Sequence, residues 1–251
     1  MKNITRITKT LPIFLGVFIT GHITQAQHWT SGHGDIGVAL EDDGDGPEFH
    51  LHAHLHSGAV VDGVALIADE EYDAGNIITT VPLLTKISAP NNPALTAGTG
   101  AATGANLWIL PQSNPGADPI PFLGLGTEEL SSGDWSGDIT FTFGTITSPS
   151  GSGDFSVWQS GVGGPEFDFS TEDGTNSLSQ GAGLHDHFNL GFTEAGMWTV
   201  ELTAAGTHNT LGALSDTQTF QFNVVPEPSS YSALLGLISL GLVCARRKSR
   251  R

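Results

Sequence analysis

Glu48-Phe49-His50-Leu51-His52-Ala53-His54-Leu55-His56 alternates apolar and polar side chains without a break. On an extended strand successive side chains point to opposite faces. Phe49, Leu51, Ala53 and Leu55 therefore share one face, and His50, His52, His54 and His56 the other. Similar short runs, rich in β-branched and aromatic residues and bounded by Gly, Asn, Asp and Pro, recur at 35–40, 63–68, 77–84, 106–110, 138–146, 154–159, 185–192, 196–204 and 217–224. No long apolar pattern of 3.6-residue period lies between residues 27 and 225. The spacing predicts an all-β chain, an Ig-like β-sandwich in a single domain over 27–225. Within 192–202, a turn at Glu194 to Gly196 precedes a strand that puts Trp198, Val200 and Leu202 on one face. Residues 89–105 and 148–153, rich in small, polar and Pro residues, read as exposed loops.

Charge is distributed unevenly along the 251 residues. The chain has 26 Asp and Glu against 9 Lys and Arg, a net charge of −17, with 10 His and one Cys. Eight of the nine cations lie in the first nine or last six residues. Between residues 27 and 225 only Lys86 faces 25 acids, a net charge of −24. Such a domain lacks the cations that nucleic-acid binding needs, and it attracts divalent cations instead. A single Cys excludes an intrachain disulfide and a Cys-rich zinc site.

Both ends read as addresses. Lys2, Arg6 and Lys9 precede an apolar run from Leu11 to Ile19, and Thr24-Gln25-Ala26 offers small residues where a signal peptidase reads. Residues 1–26 are thus expected to be a secretory signal peptide cleaved after Ala26. At the other end Pro226-Glu227-Pro228 leads into an apolar stretch, Ser232 to Ala245, and then Arg246-Arg247-Lys248-Ser249-Arg250-Arg251. As a helix at ~1.5 Å per residue the stretch would be about 21 Å long, suited to transient membrane insertion with the basic end cytoplasmic. This tail, 226–251, resembles the PEP-CTERM signal of bacterial exported proteins. The resemblance implies an exosortase-type processing enzyme as partner and loss of Cys244 with the tail.

Four histidines in register call for a reason beyond solvation, because Thr, Ser, Lys or Glu would serve a wet face equally well. Imidazole is a common metal ligand and is largely neutral at pH 7. Positions i and i+2 stand about 6.6 Å apart, within reach of one ion, whereas His50 and His56 are near 20 Å apart. Donors from other strands are therefore needed. His185-Asp186-His187 is a second His-x-His of the same parity, expected on an adjacent strand. The candidate metal set is His50, His52, His54, His185, His187 and His33, with Asp35, Asp186, His56 and His208 as orienting or weaker members. His28 and His22 are set aside, the first near the new N-terminus and the second inside the signal. Zinc is the expected metal. Glu41-Asp42-Asp43-Gly44-Asp45-Gly46 partly resembles a calcium loop but lacks its full ligand order, so it reads first as a solvated acidic turn, with calcium binding as the lesser alternative.

Gly32-His33-Gly34-Asp35-Ile36-Gly37-Val38-Ala39-Leu40-Glu41-Asp42 with the strand after it resembles the start of the choice-of-anchor M domain of bacterial surface proteins. Leu107 to Gln112 and Phe122 to Thr127 resemble its middle, and His185 to Thr199 is similar to the actinobacterial-type surface-anchored repeat that closes it. The resemblance implies association with zinc-uptake systems and zinc-responsive repression, as in a Zur-repressed PEP-CTERM group. It carries over His33, His50, His52, His185 and His187, while His54 and His56 extend beyond the usual His-x-His. The expected function is an exported, non-enzymatic metal-binding protein that scavenges, buffers or delivers zinc. The alternatives are a metal-dependent hydrolase, with Asp186 as general base, and a structural or adhesive matrix protein. No H-E-x-x-H, G-x-S-x-G or phosphate-binding Gly loop is present to favour an enzyme.

Overall fold

A computed structural model describes residues 25–228 except Asp43, Asp45 and Asp173. Residues 1–24 of the expected signal peptide and the apolar sorting helix of the tail lie outside the described residues. The first strands are β1 (Gln27–Asp42), β2 (Pro47–Leu55), β3 (Val60–Val61), β4 (Val64–Ala65), β5 (Glu70–Asp73), β6 (Ile77–Val81) and β7 (Lys86–Ser88). A short helix, α1 (Pro93–Thr99), precedes β8 (Asn106–Leu110), β9 (Pro121–Gly126), β10 (Ile139–Thr147), β11 (Phe155–Gly161) and β12 (Gly164–Ser170). The chain closes with β13 (Ser177–Gln180), β14 (His185–His187), β15 (Asn189–Phe192), β16 (Gly196–His208) and β17 (Gly212–Val224). The protein is a one-domain, sandwich-like all-β fold.

The larger sheet runs β13-β10-β16-β17-β6-β1-β2-β5, with β9 and β14 continuing from the other edge of β1. The smaller sheet runs β12-β11-β15-β8-β7. Apolar faces meet between them. Trp29, Phe141, Phe155, Phe192, Trp198 and Phe222 are fully buried, and Phe192 of the smaller sheet and Phe222 of the larger stand 5.3 Å apart between ring centroids. Trp198, Val200 and Leu202 are buried on one face of β16, as their alternation requires, and each such side chain contributes about 1.5–3 kcal/mol by leaving water.

Strand β1 links two pairing regions. Its first residues, Gln27 to Trp29, pair with β6, and its later part pairs with β9 on one edge and β2 on the other. Gly32 sits at the junction with φ +90°, and a Cβ there would stand 2.6 Å from the Ala59 Cα, so only glycine fits.

Some local expectations need correction. The 89–105 stretch contains α1, whose Asn92 side chain accepts from the Ala94 and Leu95 N–H groups, with Pro93 next and left-handed Gly100 ending it. That is a helix start and stop written in Asn-Pro and Gly. The 63–68 run shortens to β4, 77–84 ends as a strand at Val81, and 185–192 breaks at Phe188. Strands β3, β5, β7, β9 and β13 and the first half of β1 are too short or too little alternating to be predicted, whereas β12 alternates from Glu166 to Ser170 and lies outside the expected runs all the same.

Candidate metal centre

Register gathers the histidines on one face of the larger sheet. Asp35 lies opposite His54 on β2 and Gly124 on β9, and Gly124 lies opposite His187 on β14. One step along, Gly37 lies opposite His52 and Gly126, and Gly126 opposite His185. His52 and His54 lie opposite Asp73 and Glu71 on β5, and since directly paired residues point to the same side, five strands supply one face. Phe49, Leu51, Ala53 and Leu55 anchor its back in the core, and a one-residue slip would drive the imidazoles there instead. The glycines leave room: a Cβ on Gly37 would stand 3.2 Å from His52 Nε2.

The result is a continuous row of rings. Neighbouring centroids are 5.4 Å apart for His50 and His52, 6.2 Å for His52 and His54, and 4.8 Å for His54 and His56. His56 stacks on His33 at 4.2 Å, and His33 lies 5.0 Å from His187 and 5.8 Å from His185. The inner end of the row centres on Asp35, which is 1% exposed. Its Oδ2 lies 3.1 Å from His56 Nε2 and 3.6 Å from His33 Nε2, and His33 Nε2 is 3.1 Å from His187 Nε2. The two 3.1 Å contacts are hydrogen bonds, and two donors bound to one tetrahedral zinc at 2.0–2.1 Å would stand about 3.3 Å apart, so the cluster could hold an ion with little movement.

Carboxylates that were not predicted complete the face. Glu128 Oε2 lies 2.8 Å from His185 Nδ1, and its Oε1 lies 3.6 Å from His56 Nε2. Glu129 meets His54 Nδ1 and lies 3.4 Å from His52 Nε2. Buried Thr127 holds the turn carrying both: its N–H donates to the Leu184 carbonyl and its hydroxyl to that of Gly181. Asp69 accepts from the Ser57 N–H and lies 3.9 Å from His54 Nε2 and 3.6 Å from His56 Nδ1. On β5, Asp73 is 3.7 Å from His50 and Glu71 is 4.0 Å from His52. Among 25 acids no spacing marks these five, although Glu71 and Asp73 share strand parity.

The structure departs from the expected ligand set in five respects. His185-x-His187 is not adjacent to β2, because β1 and β9 intervene, so it meets His33 rather than His50 and His52. His50 belongs to no group of three close donors among the described residues. Asp35 and His56, expected as orienting or weaker members, stand at the inner centre. Asp186 is exposed and of opposite parity to His185 and His187, away from this face. His208 lies outside the row, accepting at Nδ1 from the Thr210 and Leu211 N–H groups in the β16–β17 turn. Of Glu41 to Gly46, Asp42 accepts from the Gly44 N–H, and Asp43 and Asp45 are outside the described residues.

Burial and charge tune the rings differently. Burial pushes His33 down to about 4, against the pull of Asp35 and with the help of neighbouring imidazoles, and burial also lowers His187. Burial opposes the charged form of His52 too, but Glu129 and then Glu71 outweigh it and raise its pKa. Side-chain imidazole NMR on the metal-free protein is therefore expected to show His33 titrating near pH 4 and His52 above 6.5. Two ordinary titrations near 6.5 would contradict this electrostatic order.

Comparison with known families locates the tail. Residues 224–251 match the PEP-CTERM protein-sorting motif. The match does not extend to the β-domain, and no curated protein and no solved structure matches the chain. Among the described residues no helix is long and apolar enough to cross a membrane. The motif implies processing by an exosortase-type enzyme, and it marks the chain as an exported protein of the cell envelope or surface.

Proposed function

We propose that this exported domain captures a divalent metal ion, with zinc as the best fit, at His33, Asp35, His56 and His187, flanked by His185 and Glu128. The reading rests above all on Asp35. Its carboxylate is buried, Oδ1 has no hydrogen-bond partner, and the groups facing Oδ2 are imidazoles rather than Lys or Arg. A buried anion without a cation is costly, and a metal ion on these donors would offset that cost. Mixed imidazole and carboxylate donors suit zinc, whereas calcium favours six to eight oxygens. The net charge of −24 would raise the local concentration of divalent ions.

Capture at a surface serves scavenging, buffering or delivery. Delivery toward an uptake system is what the choice-of-anchor M resemblance would imply, and the family comparison matches the tail alone. The general base expected for a hydrolase, Asp186, is exposed and faces away from the ligand row, which removes that residue, though not Glu128 beside the site, from the role. Equilibrium dialysis of the metal-free protein against Zn²⁺ tests the reading. Wild type is expected to retain zinc more tightly than His33→Gln/His187→Gln. Equal retention by a folded double variant would refute the assignment.

A further inference from the structure

We propose that the same face holds a second metal ion, bound by His52, His54 and Glu129. This rests on the metal-binding reading above but concerns different ligands. The three offer donor atoms within 4.8 Å of one another, and none belongs to the groups built on His33. His52 supplies an independent indication. It is 1% exposed, neither ring nitrogen has a hydrogen-bond partner, and Nε2 faces Glu129 at 3.4 Å without hydrogen-bond alignment. A buried imidazole normally satisfies at least one nitrogen, since leaving a polar group unpaired costs about 1–3 kcal/mol. A metal at Nε2 would remove that deficit there.

The surroundings fit two ions rather than one divided among all the rings. The adjacent carboxylates Glu128 and Glu129 part company, Glu128 toward His185 and His56 and Glu129 toward His54 and His52. Asp69 stands between the positions, facing Nε2 of His54 and Nδ1 of His56. The negative field of Asp69 favours a proton on the nitrogens it faces, and an ion bound at His54 Nδ1 would take the place of the close contact that nitrogen makes with Glu129. Three protein ligands leave zinc a fourth position for water or for an incoming donor, which makes this the exchangeable ion.

Zinc titration of the metal-free, full-length protein against a chromophoric chelator, with elemental analysis, distinguishes the cases. Two equivalents are expected for wild type. Glu129→Gln and His54→Gln should each retain one, and His33→Gln/His187→Gln should retain the other. Circular dichroism of each variant verifies folding. A wild-type stoichiometry of one that is lost in the His33/His187 variant would overturn the second site while leaving the first intact. No binding by wild type would overturn both. Two equivalents persisting in both Glu129→Gln and His54→Gln would overturn the ligand assignment.

Discussion

Gly124→Ala is expected to disrupt the proposed inner metal centre without replacing any of its ligands. A Cβ at this position would lie 2.1 Å from Asp35 Oδ1, 3.0 Å from the Asp186 carbonyl and 3.2 Å from His187 Cε1. Two of these neighbours cannot yield easily: one is backbone in a paired strand, and the Asp35 side chain is short and buried. Overpacking of this kind costs about 1–3 kcal/mol. Asp35 would have to swing out of line with His33 and His56, so zinc affinity should fall by about 100-fold, the upper end for groups that position ligands. Urea unfolding of the metal-free protein and zinc competition report the two effects separately. Gly133→Ala is the control, because a Cβ there meets nothing within 4 Å. Zinc binding by Gly124→Ala at wild-type strength would show that Asp35 does not serve the metal.

Removing the metal should have the largest effect on stability. An ion bound only by the folded state, at a free concentration 1,000 times its Kd, stabilises by about 4.1 kcal/mol. For a domain of this size each kcal/mol moves Tm by about 2–4 °C, so chelation is expected to lower Tm by about 8–16 °C. Differential scanning calorimetry with and without zinc measures it, and identical transitions near neutral pH would contradict the proposal. Acid should shrink the difference. His52 has a raised pKa and must release a proton to bind metal, so its contribution to binding fades as pH falls below its folded value. His33 needs no such release down to about pH 4. In the metal-free protein the linkage at His33 has the opposite sense to that at His52. The unfolded chain takes up a proton near 6.5 that folded His33 refuses until about 4, so this stabilising contribution is full above 6.5 and lost as pH falls through that window. For His52 the contribution is present below 6.5 and lost as pH rises through its raised folded value.

Strand parity was legible along the chain. The alternation of Glu48 to His56 separated a buried face from an imidazole face, and the turn before Trp198 was equally readable. Helix α1 was missed although Asn92-Pro93 is a strong start signal, because seven residues give no amphipathic period to weigh against so many Gly, Ala and Thr. Gly124 and Gly126 figure in the sequence only within the Phe122 to Thr127 resemblance, yet their empty side-chain positions are what admit the Asp35 carboxylate and the rings around it.

What the sequence by itself determined is therefore local: which residues extend, which face each side chain takes, and that export would deliver an acidic, histidine-rich domain. Those follow from backbone geometry that repeats every two residues and from the composition of the ends. Which histidines meet was decided only by the tertiary structure. His33 and His187 are 154 residues apart, and the one strand between them, β9, sets their spacing. Strand order and register come from the packing of distant apolar faces into one core, and a core of this kind leaves no trace in the spacing of the polar residues it aligns.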